Sequence, residues 1–118
     1  MSKIIVCGGR DFKDAAFLNR ALKELQQTVT ITHVIEGGAF GADRLGKLWA
    51  EQNNIPVTTV MAKWDIHGRK AGYLRNLEMA EMKPDFVIAF PGGVGTQIMI
   101  DISLKKGIET FTAYPEDE

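Results

Sequence analysis

Short, continuously apolar runs alternate with helix-length segments along the whole chain. Residues 3–7, 29–35, 56–61, 85–90 and 109–112 have the length and apolar content of strands covered on both faces. Between them, residues 12–26, 41–53, 71–82 and 95–106 have helical length, with apolar positions at three- to four-residue spacing. In the first helix the buried stripe is Phe17, Leu18, Leu22 and Leu25, with Asp11 placed as N-cap. In the second it is Ala42, Leu45, Leu48 and Trp49. Residues 62–70 read as a long connection.

This alternation predicts an α/β fold: a Rossmann-like three-layer sandwich around a five-stranded parallel sheet, with strand order 3-2-1-4-5. That order sets strands 1 and 4 side by side with diverging connections, which opens a crevice beyond their carboxyl ends. Residues 1–118 read as a single domain, because no linker, repeat or low-complexity segment interrupts them. The acidic tail from Pro115 to Glu118 is expected to fray.

Three of the predicted strands run into glycine turns: Gly8-Gly9, Gly37-Gly38 with Gly41, and Pro91-Gly92-Gly93-Val94-Gly95-Thr96. A strand that passes through glycines into a helix start leaves backbone N–H groups around a side-chain-poor concavity, which suits phosphate. Neither a Walker A sequence nor the first-turn dinucleotide fingerprint is present. A plain strand-to-helix turn is the competing reading of each glycine turn taken alone.

Charged and aromatic residues stand beside these turns. Arg10 either clamps a phosphate or pairs with Asp11, and Phe12 either stacks on a base or packs the first helix turn. Asp43 falls in the first turn of a helix, where the dipole favours it, and can equally accept a ribose hydroxyl. Glu36 closes an apolar strand near the same place. Farther on, Trp64 can cover a base, and Arg69, Lys70 and Arg75 can neutralise phosphate, with Asn76 adjoining Arg75.

Composition narrows the partners. With 14 Lys and Arg against 15 Asp and Glu, the net charge of −1 gives no overall basic footprint, so nucleic acid is not the expected partner. The single cysteine, Cys7, reads as a small buried residue at a strand end and fits a reducing compartment. One cysteine and two histidines make no cluster at metal-ligand spacing, so neither metal nor resident cofactor is expected. No secretory or membrane-spanning stretch is read, which points to the cytoplasm and away from the membrane. Tyr73, Leu77, Met79 and Met82 spread around more than one face of their helix, which suggests a homodimer or larger assembly.

Taken together, these motifs resemble the SLOG superfamily of Rossmann-like nucleotide-binding domains, which includes the Lonely Guy phosphoribohydrolases and DprA-like proteins. Within it the chain is most similar to the small stand-alone YspA-like family. The likeness rests on Cys7-Gly8-Gly9-Arg10-Asp11-Phe12, Glu36-Gly37-Gly38-Ala39-Phe40-Gly41-Ala42-Asp43, Trp64, Gly68, Arg69, Ala71-Gly72, Arg75-Asn76, and Phe90 to Thr96 with Met99. The resemblance implies a nucleotide-derived ligand. In the Lonely Guy enzymes a Pro-Gly-Gly-x-Gly-Thr turn holds phosphate and a following Glu pair carries N-glycosidic hydrolysis with an Arg from the preceding helix. Arg75 matches that Arg, whereas the Glu pair falls on Ile98 and Met99.

The expected function is therefore binding of a nucleotide-derived, phosphate-containing small molecule by a sensor, carrier or sequestering protein. Phosphate would lie over residues 92–96 beneath Pro91, with Gly8 and Gly9 alongside and Arg10 and Arg75 as counter-charges. Base or ribose would lie near Gly37, Gly38, Asp43 and Trp64. An N-glycosidic hydrolase and a DprA-like single-strand binder are the alternatives. The hydrolase would need an acid–base group from among Asp11, Glu36, Asp43 and Asp101.

Overall fold

In a computed structural model, which describes residues 2–115, five parallel strands form one sheet in the order β3-β2-β1-β4-β5. The strands are β1 Ser2–Cys7, β2 Ile31–Glu36, β3 Val57–Thr59, β4 Phe86–Ala89 and β5 Glu109–Thr112. The helices are α1 Ala15–Gln26, α2 Ala42–Gln52, α3 Trp64–His67, α4 Ala71–Glu81 and α5 Val94–Lys105. β1 is central, with Ile5 paired to Ile35 of β2 on one side and to Val87 of β4 on the other.

Successive residues of a strand point to opposite faces, and β1 is apolar at both. Ile4 and Val6 join Leu18 and Leu22 of α1 and Trp49 of α2 in one core. Ile5 and Cys7 join Met79 of α4 and Met99 of α5 in the other. Two cores separated by one sheet make the three layers, and they anchor the helices whose first turns meet the carboxyl edge.

Several local expectations are corrected. α1 begins at Ala15, and its cap is Asp14, whose carboxylate accepts the Phe17 N–H at 3.0 Å, in place of Asp11. The preceding residues are spent on a turn in which Phe12 N–H donates to the Gly9 carbonyl. The Phe12 ring packs on Phe90, centroids 5.4 Å apart, the packing alternative of its two readings. Leu48 is 46% exposed because Ala42, Gly46, Trp49 and Ala50 set the buried stripe of α2, and Leu48 falls on its far side. Residues 62–70 are not an irregular connection: α3 and a 3-10 turn, Gly68–Lys70, occupy most of them. On α4, Met79 is buried and Leu77 and Met82 pack against the second core, while Tyr73 is 48% exposed. The acidic end of the tail, residues 116–118, lies outside the described residues. No described helix is long and apolar enough to cross a membrane.

Candidate functional site

The three glycine turns meet at Gly9. Its N–H donates to the Pro91 carbonyl at 2.8 Å, tying the β1 turn to the β4 turn. Its carbonyl accepts the Ala42 N–H at 3.2 Å, tying the β1 turn to the start of α2. Gly41, with φ +80°, lies so close to the Gly9 carbonyl that a Cβ there would collide with it. Close approach of three turns is thus the fold's own reason for glycine at several of these positions.

Above this junction lies a crevice of about 430 Å³. Gly8, Gly9 and Arg10 line it from the β1 turn, Asp43 from α2, Trp64 and Arg69 from the segment before α4, and Arg75 and Asn76 from α4. Gly93, Gly95 and Thr96 line it from the start of α5. Eleven of the residues singled out in the sequence therefore share one cavity.

Four do not. Pro91 and Gly92 line a neighbouring cavity with Asp11, Phe12 and Lys13, and Arg10 borders both. Gly92 backs onto the Thr96 side chain and the Gly9 N–H, leaving no room for a Cβ. Gly37 is buried behind Arg75, to which its carbonyl offers an acceptor at 2.6 Å. Gly38, at φ +75°, packs under Met61, and its N–H donates to Glu36 Oε1 at 2.7 Å.

Gly93 and Gly95 behave differently from the other glycines of the turns. Neither has a positive φ, and a Cβ on either would meet nothing within 4 Å. Gly93 is the N-cap of α5, with φ −108° and ψ −141°. Gly95 is the second residue of α5. Both face the crevice.

Arg75 is held in place. Its Nε donates to Asn76 Oδ1 at 2.9 Å and its Nη1 to the Gly37 carbonyl. Asn76 in turn donates through Nδ2 to the Gly95 carbonyl at 3.2 Å. The described residues offer Nη2 no acceptor, which leaves one edge of the fork for a ligand. Arg10 and Arg69 are exposed cations on the same crevice, whereas Asp43 is the one carboxylate among its described lining residues.

Asp43 is 6% exposed and accepts the Ala39 N–H through Oδ2 at 3.2 Å. Burial pushes its carboxyl up to about 6, and the Glu36 charge adds to that; the Ala39 and Gly37 N–H groups and the Arg75 charge oppose it. Cys7 also lines the crevice, but burial raises its thiol far above the usual range, so it supplies no thiolate nucleophile near neutrality.

Several lining residues were not singled out for binding: Ala39, Gly72, Tyr73, Met79, Val94 and Ile98. Helical spacing was the available signal for two of them, since Gly72 and Met79 lie three before and four after Arg75 on α4. Ile98 and Met99 bring apolar side chains to the crevice where the resemblance had located the missing Glu pair. Among the described residues no group of His, Cys, Asp and Glu is arranged to hold a metal ion.

A family model described as YspA, cpYpsA-related SLOG family matches residues 2–67, just over half of the chain. The chain belongs to that family. The SLOG chain is also 38% identical over 116 residues to the Gene 61 protein of Mycobacterium phage D29, spanning 92% of this chain and 93% of that protein. No solved structure matches it. The family match covers the first two glycine turns, Asp43 and Trp64; Arg69, Arg75, Asn76 and the turn before α5 lie beyond it.

Proposed function

We infer that this SLOG protein binds a nucleotide-derived, phosphate-containing small molecule in the crevice at the carboxyl edge of β1 and β4, as a sensor, carrier or sequestering protein. The observation that carries this reading is the pair Gly93 and Gly95. Both border the crevice, both leave open space where a side chain would stand, and neither has a positive φ. Glycine at these positions keeps the first N–H groups of α5 open to an anion. Arg10, Arg69 and Arg75 supply opposing charge, and the half-exposed Trp64 indole, beside Gly72, supplies an apolar face for a base.

Binding is favoured over N-glycosidic hydrolysis by Ile98 and Met99, which bring apolar side chains where that chemistry would want carboxylates. Calorimetric titration with a panel of nucleoside 5′-phosphates tests the reading. Saturable binding that weakens in Gly93→Ala supports it. Absence of binding by any phosphorylated compound at millimolar concentration sinks it.

A further inference from the structure

β5 closes one end of the sheet, so among the described residues its outer edge has no neighbouring strand. Which backbone groups it presents there follows from its pairing with β4. The Ala113 N–H donates to the Ala89 carbonyl, and alternate residues of a strand direct their backbone groups to opposite sides. Thr110 and Thr112 therefore point their N–H and C=O groups away from the sheet. Edges of this kind are commonly blunted by lysine, proline or a bulge. Glu109–Thr112 contains neither lysine nor proline, and it pairs with β4 in unbroken register.

Apolar side chains flank the edge on both faces. Phe111 packs beside Phe86 of β4, centroids 5.6 Å apart, yet is 37% exposed. The other face carries α5. Gly95 and the buried Ile102, seven residues apart, share the flank of α5 whose Gly95 carbonyl is bonded by Asn76 of α4. Leu104, two residues after Ile102, falls on the opposite flank, toward the outer side of β5, and is 61% exposed.

We propose that the β5 edge is the contact surface for a second copy of this chain, paired antiparallel about a two-fold axis at Phe111. Such an axis brings the same patch of both copies together. Centred on Phe111, it pairs Thr110 with the partner's Thr112 through exchanged hydrogen bonds. It also sets Phe111 against the partner's Phe111 in the closer, non-hydrogen-bonded arrangement. Moving the centre to Thr110 or Thr112 would set Phe111 against Glu109 or Ala113 and lose the aromatic pair. A stable interface buries roughly 1,200 Å² or more. Four residues of strand are too few for that, and Phe111, Leu104 and the exposed Tyr114 supply apolar area beside them. Charge is complementary as well. Beyond Thr112 the chain of one copy heads for the end of the other copy's α5, where Lys105 and Lys106 are exposed. Glu116, Asp117 and Glu118 are the residues that follow in sequence.

The test is sedimentation velocity of the full chain, with variants at the edge. At high micromolar concentration the wild type should sediment at twice its 13.1 kDa mass. Thr112→Pro removes an N–H that the sheet does not use, and the two-fold axis doubles the loss. It should weaken self-association roughly tenfold or more. Cys7 is the free cysteine and is buried, so a cysteine introduced at the edge reports its own position. Phe111→Cys should form an intermolecular disulfide under mild oxidation, because Cα atoms about 4.5 Å apart are within disulfide reach. Glu109→Cys, which the axis carries away from its own copy, should not. A wild type that stays at monomer mass overturns the proposal. So does a Thr112→Pro variant that associates as the wild type does, or crosslinking at 109 equal to that at 111. The wild-type mass and the crosslinking ratio decide by themselves if Thr112→Pro does not fold.

Discussion

Asn76 joins the cation of the crevice to its anion nest: its amide donates to the Gly95 carbonyl while its Oδ1 accepts from Arg75 Nε. A buried side chain with both ends engaged fixes α4 against the first turn of α5. Asn76→Ala removes one partner from each bond and leaves polar groups unpaired, which costs about 1–3 kcal/mol. Urea unfolding should show that loss. Phosphate affinity should fall with it because Arg75 is no longer aimed. A variant as stable as the wild type would refute the bridging role.

Gly93→Ala and Gly95→Ala separate binding from folding. Both positions have room for a methyl group and neither has a positive φ. Gly95→Ala, in the first turn of α5, should leave stability unchanged or raise it by less than the helix-interior difference of about 1 kcal/mol. Each should weaken binding of a phosphorylated ligand roughly tenfold or more, as loss of a hydrogen bond to a charged group predicts. Undiminished affinity in both would return the turn to a purely architectural role.

The two arginines should not respond alike. Arg10 is exposed, so Arg10→Ala should shift stability by no more than about 0.5 kcal/mol and act mainly on anion affinity. Arg75 carries two internal hydrogen bonds, so Arg75→Ala should cost about 1–3 kcal/mol of folding stability as well. The bonds of Arg75 to Gly37 and Asn76 make Arg10→Ala the cleaner probe of the two. Thermal melts alongside titrations would tell the two apart, and indistinguishable melts would contradict the anchoring of Arg75.

Asp43 should leave a mark on the pH dependence of stability. Its folded-state pKa, about 6, lies above the usual 3.8, mainly through burial and against the pull of Arg75. The folded state therefore holds the proton more tightly. The resulting stabilisation is fully present below about pH 3.8 and is lost as pH rises through about 6. Two pH units correspond to about 3 kcal/mol. Unfolding of the wild type and Asp43→Asn compared between pH 4 and pH 7.5 isolates this contribution. Parallel curves would show that Asp43 titrates normally. Within the crevice its carboxylate faces the charge of Arg75, with Glu36 and the Cys7 thiol behind it.

The helix–strand alternation and the meeting of the first and last glycine turns were legible because strand ends carry their own punctuation. Gly9 and Pro91, far apart in sequence, had to meet once β1 and β4 paired. What escaped was set by tertiary contact. Asp14 rather than Asp11 caps α1, and the chain before it forms a turn in which the Phe12 N–H donates to the Gly9 carbonyl. Leu48 looks like a core residue until Gly46 admits Val6 and turns the buried stripe of α2 away from it. Gly37 and Gly38, read as ligand contacts, also hydrogen-bond to Arg75 and Glu36. No local pattern distinguishes a glycine that touches a ligand from one that makes room for a neighbouring side chain.

The hydrogen bonds that converge on Gly9 give the crevice its dynamics. A turn tied to one strand can flex while its neighbours stay still, but here displacement of the β1 turn must break a bond to Pro91 or to Ala42. The floor of the crevice therefore moves with the sheet, and its amides should exchange with solvent on the timescale of global unfolding rather than of loop motion. A ligand entering such a site meets a surface already ordered, so little of its interaction energy is lost to arranging the protein.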